Sequence, residues 1–168
     1  MRELTIVRHA HAERASDDGE DFERELDKRG RREARRMALY LAHRDCRPDH
    51  LLTSPAVRTV QTAKTFAHAL GFELPRIRHD DRVYLAEADT LLSILRSAPA
   101  GARHVLLVGH NPGLSTLARR LDADGDCAEL PTAGILSLRF ALELWTELDW
   151  RTGRRVLFAT PDLVEDGP

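Results

Sequence analysis

The chain alternates between two hydrophobic patterns. In one, short runs of consecutive apolar residues end after a few positions, as buried β-strands do. In the other, apolar residues recur every three or four positions, as on one face of a helix. The runs predict strands at residues 4–7, 50–53, 104–108, 135–142 and 156–159. The helical spacing predicts helices at residues 28–44, 57–70, 89–97 and 114–121.

The segments between these elements have the composition of turns and loops. Residues 10–27 are polar, with four acidic residues close to Gly19, and they predict a loop. Pro55 suits the start of the second helix, and Gly71 suits its end. Residues 72–84 are irregular, with room for one short strand.

Strands that alternate with helices predict an α/β fold. We expect one three-layer domain at residues 1–161, in which a mostly parallel central sheet carries helices on both faces, followed by a flexible tail at residues 162–168. A length of 168 residues suits one domain with one core. In such sheets, functional sites form at the carboxyl ends of strands.

Composition narrows the class of partner. The 25 basic and 27 acidic residues give a formal net charge of −2, which offers no electrostatic case for a nucleic-acid or membrane partner. Cys46 and Cys127 are far apart and lack the spacing of a zinc site, so free thiols in a reducing compartment are the favoured interpretation. The sequence shows neither a signal peptide nor an apolar run of membrane-spanning length, and cytoplasm is the predicted location.

Three segments at predicted strand ends carry groups that bind phosphate. Arg8 and His9 follow the first strand, Arg58 lies at the start of the second helix, and His110 follows the strand at 104–108. Singly, Arg8-His9 and Arg58 are weak signals, since incidental histidines and surface arginines are common. Together they place two imidazoles and two guanidiniums at one sheet edge. Arginine donates paired hydrogen bonds to oxyanions, and neutral histidine can act as a nucleophile.

These segments and their neighbours resemble the histidine phosphatase superfamily, once called the phosphoglycerate mutase family, and most sharply its small SixA-like phosphohistidine phosphatases. The matching blocks run in the family's order over nearly the whole chain: Val7–Ala10, Arg24–Gly30, Ser54–Arg58, Gln61–Ala63, Val108–Pro112 and Pro131–Gly134. The resemblance implies a phosphoglycerate mutase-like fold. The short intervals between His9, Arg58 and His110 leave no room for a large lid insertion.

The resemblance also implies roles for individual residues. His9 becomes phosphorylated, and Arg8, Arg58 and His110 form the phosphate pocket around it. Asn111 is expected to support the loop that bears His110, with direct substrate contact as the second possibility. Two further residues, Ser54 and Thr132, are expected to support the side chains that form the pocket. A simple role as a helix cap or turn residue is equally open for both.

The residue after the nucleophile departs from the family pattern. Members usually have glycine there, and this chain has Ala10, which would be strained if the position required a positive φ. We expect Ala10 to be tolerated, with His9 held by a hydrogen bond from its other ring nitrogen to a backbone carbonyl. That bond would leave the attacking nitrogen free. We expect His9 to be neutral and His110 to be cationic, a form that bound phosphate would favour.

The proton donor is the second departure. Larger members place a carboxylate before the second histidine, and Glu87 is the candidate here, with Asp89 beside it. A loop carboxylate at the surface is the competing interpretation of Glu87. Three loop residues are weaker candidates for the same role: Asp17, Asp18 and Asp21.

The sequence predicts no metal and no cofactor. His9 and His11 could flank an ion, but no third ligand lies at a suitable spacing. The remaining histidines have no motif around them: His43, His50, His68, His79 and His104.

The predicted function is a metal-independent phosphatase that works through a phosphohistidine intermediate on His9. Protein phosphohistidine is the favoured substrate because an imidazole leaving group needs less help from an acid than an alkoxide does. Two alternatives remain: a broad-specificity small-molecule phosphomonoesterase, and a phospho-ligand binding module without turnover. The expected partner is a phosphorylated substrate, such as a histidine-phosphorylated protein.

Overall fold

A six-stranded sheet forms the middle layer of the protein, and the computed structural model describes residues 1–165. Its strands are β1 (Arg2–Arg8), β2 (His50–Thr53), β3 (Arg78–His79), β4 (His104–Gly109), β5 (Ile135–Phe140) and β6 (Arg154–Ala159). They lie in the order β3-β2-β4-β1-β5-β6. The first four in that order pair in parallel, and β5 and β6 add antiparallel pairs at one side.

Four α-helices cover the sheet: α1 (Lys28–Ala42), α2 (Val57–Leu70), α3 (Ala88–Arg96) and α4 (Gly113–Leu121). One core lies between the sheet and the α1–α2 pair, and the other lies between the sheet and the α3–α4 pair. The predicted three-layer α/β fold with a mostly parallel sheet is therefore confirmed.

The two cores explain why β4 is apolar along nearly its whole length and why β1 is apolar at Leu4, Ile6 and Val7. In β1, Leu4 and Ile6 point into the α3–α4 core, whereas Val7 points into the α1–α2 core. In β4, Leu107 and Val108 divide between the two cores in the same way. A strand that is buried on both faces cannot alternate between apolar and polar residues.

Local chemistry sets the helix ends. Asp27 is the N-cap of α1, and its carboxylate accepts a hydrogen bond from the Gly30 amide at 2.7 Å. Gly71 has a φ of 68° and ends α2 in the left-handed conformation, as its position predicted. The differences from the predicted bounds are of one or two residues: β1 begins at Arg2, α1 ends at Ala42, β5 ends at Phe140 and β6 begins at Arg154, while α3 and α4 each begin one residue earlier and α3 ends one residue earlier.

The carboxyl ends of β1, β2 and β4 meet at one edge of the sheet. Arg8 pairs with Gly109 in the register of β1 and β4. The His9 amide donates to the Gly109 carbonyl at 3.1 Å, and the Ser54 amide donates to the Val108 carbonyl at 3.2 Å. Strand register therefore brings the residues that follow these three strands side by side.

The chain after β6 turns back toward the sheet. The amides of Leu163 and Val164 donate to the Thr160 carbonyl, and Val164 packs against the α1–α2 core. The predicted tail spans residues 162–168, of which 166–168 lie outside the described residues, and its flexibility stays a prediction. Within residues 1–165, no helix is both long and apolar enough to span a membrane.

Candidate active site

Both predicted histidines and both predicted arginines line one cavity of about 320 Å³ at the carboxyl edge of the sheet. The rings of His9 and His110 lie 5.4 Å apart between centroids. His9, Arg58 and His110 are only 8, 2 and 3% exposed. A larger cleft of about 560 Å³ lies beside β3 and contains none of these residues, so the chemistry and not the volume singles out this cavity.

His9 is held in a single tautomer. Its Nδ1 lies 2.8 Å from the Ala10 carbonyl oxygen, and because that oxygen can only accept, Nδ1 carries the proton. Nε2 is left with a free lone pair. The predicted hydrogen bond from His9 to a backbone carbonyl is confirmed.

Ala10 fits where the family usually has glycine. Its φ lies outside the left-handed region, so no strain arises from the side chain. It is fully buried, and its amide donates to Thr62 Oγ1 at 3.0 Å. Alanine therefore serves this position without cost to the backbone.

Burial and nearby cations keep His9 neutral. Burial is the largest cause that lowers its pKa, and the charges of Arg58 and Arg8 lower it further, to about 4, against the opposing hydrogen bond to Ala10. At neutral pH the ring is therefore uncharged, as a nucleophile requires.

The two arginines are fixed by protein acceptors and retain donors for a ligand. Arg8 Nη1 donates to the Leu130 carbonyl at 3.1 Å, and Arg58 donates from Nη1 to the Asp21 carbonyl at 2.8 Å. The Nε atoms of Arg8 and Arg58 are buried, and neither has a hydrogen-bond partner among residues 1–165. Buried donors without a partner are rare and cost free energy, and both of these arginines line the cavity, where two guanidiniums favour an anion.

His110 is neutral in the free site. Its Nδ1 accepts from Arg58 Nη2 at 3.2 Å, so its proton lies on Nε2 and is donated to Ser54 Oγ at 2.8 Å. Burial, followed by the charges of Arg58 and His9, lowers its pKa to about 3. In the free site burial and the neighbouring guanidinium therefore favour the neutral ring, and the expected cationic His110, a form that bound phosphate would favour, stays a prediction.

Asn111 supports the loop that follows β4, as expected. Its amide nitrogen donates to the Leu130 carbonyl at 2.9 Å, and its amide oxygen accepts from the amide and the hydroxyl of Ser115. Thr132 lines the cavity beside Asn111. The next residue, Ala133, has a φ of 59° and donates its amide to the Arg8 and His9 carbonyls, which holds this turn against the end of β1.

The predicted proton donor, Glu87, lies outside the cavity. Glu87 is exposed at the N-cap of α3 and does not line the cavity. The weaker candidates Asp17 and Asp18 are also exposed, outside the cavity. Among the residues that line this cavity, Asp21 is the one carboxylate.

Asp21 connects the loop at 10–27 to the site. Its carboxylate accepts from Tyr84 Oη at 2.6 Å, from Arg58 Nη2 at 3.0 Å and from Arg24 Nη1 at 3.0 Å. These hydrogen bonds, that of Tyr84 first, hold its pKa well below the usual range of an aspartate. Asp21 is therefore an anionic acceptor that orients Arg58, and it cannot serve as a proton donor at neutral pH.

Sequence reasoning gave Asp21 only the weak role of a candidate acid. It also missed Arg24 and Tyr84 as groups around the site. Arg24 belongs to the block Arg24–Gly30, which was a usable signal. Nothing in the sequence pattern predicted that the loop would fold onto Arg58.

His11 is engaged by a carboxylate and not by a metal-ligand set. Its Nδ1 forms a short hydrogen bond with Asp27, the N-cap of α1. In the described part of the chain, no three His, Cys, Asp or Glu side chains are grouped so that they could hold a metal ion.

The chain belongs to the histidine phosphatase superfamily, since the sequence profile of its branch 1 matches residues 4–90. Family membership and the cavity of paired histidines and arginines make the protein a phosphatase. Its curated relatives include protein ML1117 of Mycobacterium leprae, an uncharacterized protein that is 30% identical over 149 residues, covering 84% of this chain and 89% of the relative.

Solved structures share the fold over nearly the full chain. One, named for the phosphohistidine phosphatase SixA from Agrobacterium tumefaciens, is 30% identical with a TM-score of 0.78, and the match covers 95% of this chain and 98% of that one. Another, the protein histidine phosphatase SixA complexed with tungstate, has a TM-score of 0.81 at 20% identity, over 95 and 97% of the two chains. The chain is thus similar in fold to SixA.

Proposed function

We propose that this phosphatase hydrolyses protein phosphohistidine without a metal, through a phosphoryl group carried on Nε2 of His9. The single observation that carries the proposal is the state of His9. Its Nδ1 proton is bound to the Ala10 carbonyl, and its free Nε2 shares the cavity with Arg8 and Arg58, whose buried Nε donors have no partner among residues 1–165. A nucleophile and an oxyanion pocket are thereby combined in one place.

In the first step, His9 Nε2 attacks phosphorus, and the bond from phosphorus to the substrate nitrogen breaks in line. The electron pair stays with the leaving imidazole. In the second step, water attacks phosphorus, the bond to Nε2 breaks, and inorganic phosphate leaves. His9 then regains its lone pair and keeps its Nδ1 proton, and Arg8 and Arg58 stabilise the charge on the phosphoryl oxygens in both steps.

His110 changes state when the phosphoryl group arrives. A dianion in the cavity raises the pKa of the neighbouring imidazole and favours its protonated form. His110 would then donate from Nδ1 to a phosphoryl oxygen in place of accepting from Arg58, while its Nε2 stays bonded to Ser54 Oγ. The neutral His110 of the free site thus becomes a donor where charge gathers.

The character of the cavity favours a phosphoramidate over a phosphoester. Its one carboxylate, Asp21, is anionic and held by three donors, so it cannot protonate an alkoxide leaving group. A phosphohistidine that is protonated on its second ring nitrogen leaves as neutral imidazole and needs no such acid. The SixA structures, similar in fold, carry the names of phosphohistidine phosphatases, and one binds tungstate, a tetrahedral oxyanion.

A substrate panel tests this proposal. We expect kcat/KM for a phosphohistidine peptide to exceed that for the same peptide with phosphoserine by at least about 100-fold, because only the serine substrate needs an acid. A chelator should leave the rate unchanged. Faster hydrolysis of phosphoserine, or similar rates on many small phosphomonoesters, would overturn the phosphohistidine assignment and favour a broad phosphomonoesterase.

A further inference from the structure

The solvent side of helix α1 carries a row of cations. Lys28, Arg31, Arg32 and Arg35 recur at the i, i+3, i+4, i+7 spacing, so they share one face, opposite the buried face of the helix. All four side chains are exposed. Within residues 1–165, none of them forms an ion pair with a carboxylate. We name these four residues the α1 basic stripe.

The α1 basic stripe works against the stability of its own helix. The first turn of a helix favours acidic side chains, and the first turn of α1 has none. Lys28 and Arg32, like Arg31 and Arg35, are like charges at i, i+4, which repel. Arg29, by contrast, is neutralised by Glu33 at 2.9 Å. An anionic partner bound to the α1 basic stripe would offset the repulsion between its like charges.

The stripe begins at the mouth of the catalytic cavity. Asp27, the residue before α1, bonds to the side chain of His11, which lines that cavity, and the Asp27 amide donates to the His11 carbonyl at 3.2 Å. At about 1.5 Å per residue, the stripe extends from there to about 12 Å along the helix. The stripe is therefore within reach of an extended segment that flanks a phosphoryl group in the cavity.

We propose that the α1 basic stripe docks an acidic segment that flanks the phosphohistidine of a protein substrate. The proposal rests on the proposed function and adds how the substrate is selected. Charge complementarity and continuity with the cavity support an acidic protein segment. A nucleic acid is disfavoured, because four cations over about 12 Å form a small patch on a chain with a net charge of −2.

Two synthetic peptides test the stripe. Each carries one central phosphohistidine. On each side of the phosphohistidine, the acidic peptide has four glutamates, the first of them three residues away, which is about 10 Å in extended chain. The neutral peptide has glutamines at the same positions. At low ionic strength we expect kcat/KM to be about tenfold higher for the acidic peptide, mainly through a lower KM. Near 0.5 M salt the preference should largely disappear.

Matched variants locate the effect. The triple variant R31Q/R32Q/R35Q should lose the preference for the acidic peptide and keep wild-type kcat/KM on the neutral one. The control variant R78Q/R119Q/R154Q also removes three exposed cations, from β3, α4 and β6, and should keep the preference. The triple variant should melt no lower than the wild type, since it removes repulsion within α1.

The outcomes separate this inference from the proposed function. If the wild type hydrolyses both peptides equally, or if the control variant loses the preference as much as the triple variant, the stripe does not dock acidic segments and the inference is overturned. If neither peptide is hydrolysed while phosphoserine peptides are, the proposed function itself fails. If duplex DNA inhibits the wild type more strongly than an unphosphorylated acidic peptide does, the stripe is a nucleic-acid surface instead.

Discussion

At the scale of single residues, the site depends on which atoms carry protons. The Ala10 carbonyl fixes the proton of His9 on Nδ1, and Arg58 fixes that of His110 on Nε2. Burial and the arginines then lower the pKa of both rings. Two neutral imidazoles with defined tautomers follow: His9 keeps a free lone pair on Nε2, and His110 donates from Nε2 to Ser54 Oγ.

The lowered pKa values predict how stability depends on pH. In the folded protein His110 stays neutral down to about pH 3, and His9 does so down to about pH 4, whereas an unfolded histidine binds a proton near pH 6.5. The unfolded state therefore binds more protons below pH 6.5, and stability falls as the pH falls. We expect His110 alone to contribute up to about 2 kcal/mol of the loss between pH 7 and pH 5.

Urea unfolding at pH 7 and pH 5 measures this loss. His110→Asn should reduce it by up to about 2 kcal/mol. His68→Gln, at an exposed position of α2, should leave the loss as in the wild type. Equal losses for wild type and His110→Asn would show that His110 is not held neutral by the fold.

Asp21 gives a second prediction at this scale. Asp21→Asn removes the charge that orients Arg58, so kcat should fall about tenfold. Because the cavity also loses a negative charge, KM should not rise. Asp18→Asn, in the same loop but exposed and outside the cavity, is the control and should retain both constants. A rise in KM with kcat unchanged would mean that Asp21 acts by binding substrate.

At the scale of elements, close packing at the first turn of α1 joins the loop to the helix. A Cβ at Gly30 would lie 1.9 Å from the His11 carbonyl oxygen, so only glycine allows this approach. The contact aligns His11 and Asp27 at the rim of the cavity. Gly30 belongs to the block Arg24–Gly30 that resembles the family, and its close contact with His11 gives it a packing role.

Gly30→Ala should accordingly lower the free energy of unfolding by about 1–3 kcal/mol, since the backbone must move to admit the methyl group. Gly101→Ala, where an added Cβ meets nothing within 4 Å, is the matched control and should change stability little. Urea titration of both variants gives the comparison. Equal stability of the two would contradict the close contact of Gly30 with His11.

Elements were also the level that the sequence predicted best. The bounds of β2 and α2 agree with prediction because continuous apolar runs, helical spacing and Gly71 are local signals. The antiparallel setting of β5 and β6 depends on pairing between distant segments, and no local pattern encodes it. The placement of Asp21 on Arg58 has the same origin, since it depends on how a polar loop folds in space.

At the scale of the whole molecule, positive charge is concentrated in the cavity, whereas the numbers of acidic and basic residues in the chain are nearly equal. The net charge of −2 offers no basic surface over the whole molecule, and Arg8 and Arg58 place positive charge in one cavity at the sheet edge. Convergence of His9, Arg58 and His110 was predictable because the ends of parallel strands meet at one edge. The positions of the protons on His9 and His110 were harder to predict from the sequence, since they depend on distances of a few tenths of an ångström.

The most direct test of the account is to trap the phosphoenzyme. The protein is mixed briefly with a labelled phosphohistidine peptide, quenched in alkali and digested, and the labelled residue is mapped. The account predicts an acid-labile, alkali-stable adduct on Nε2 of His9, and its absence in His9→Asn. A label on any other residue, or turnover that survives in His9→Asn, would contradict the central claim that His9 carries the phosphoryl group.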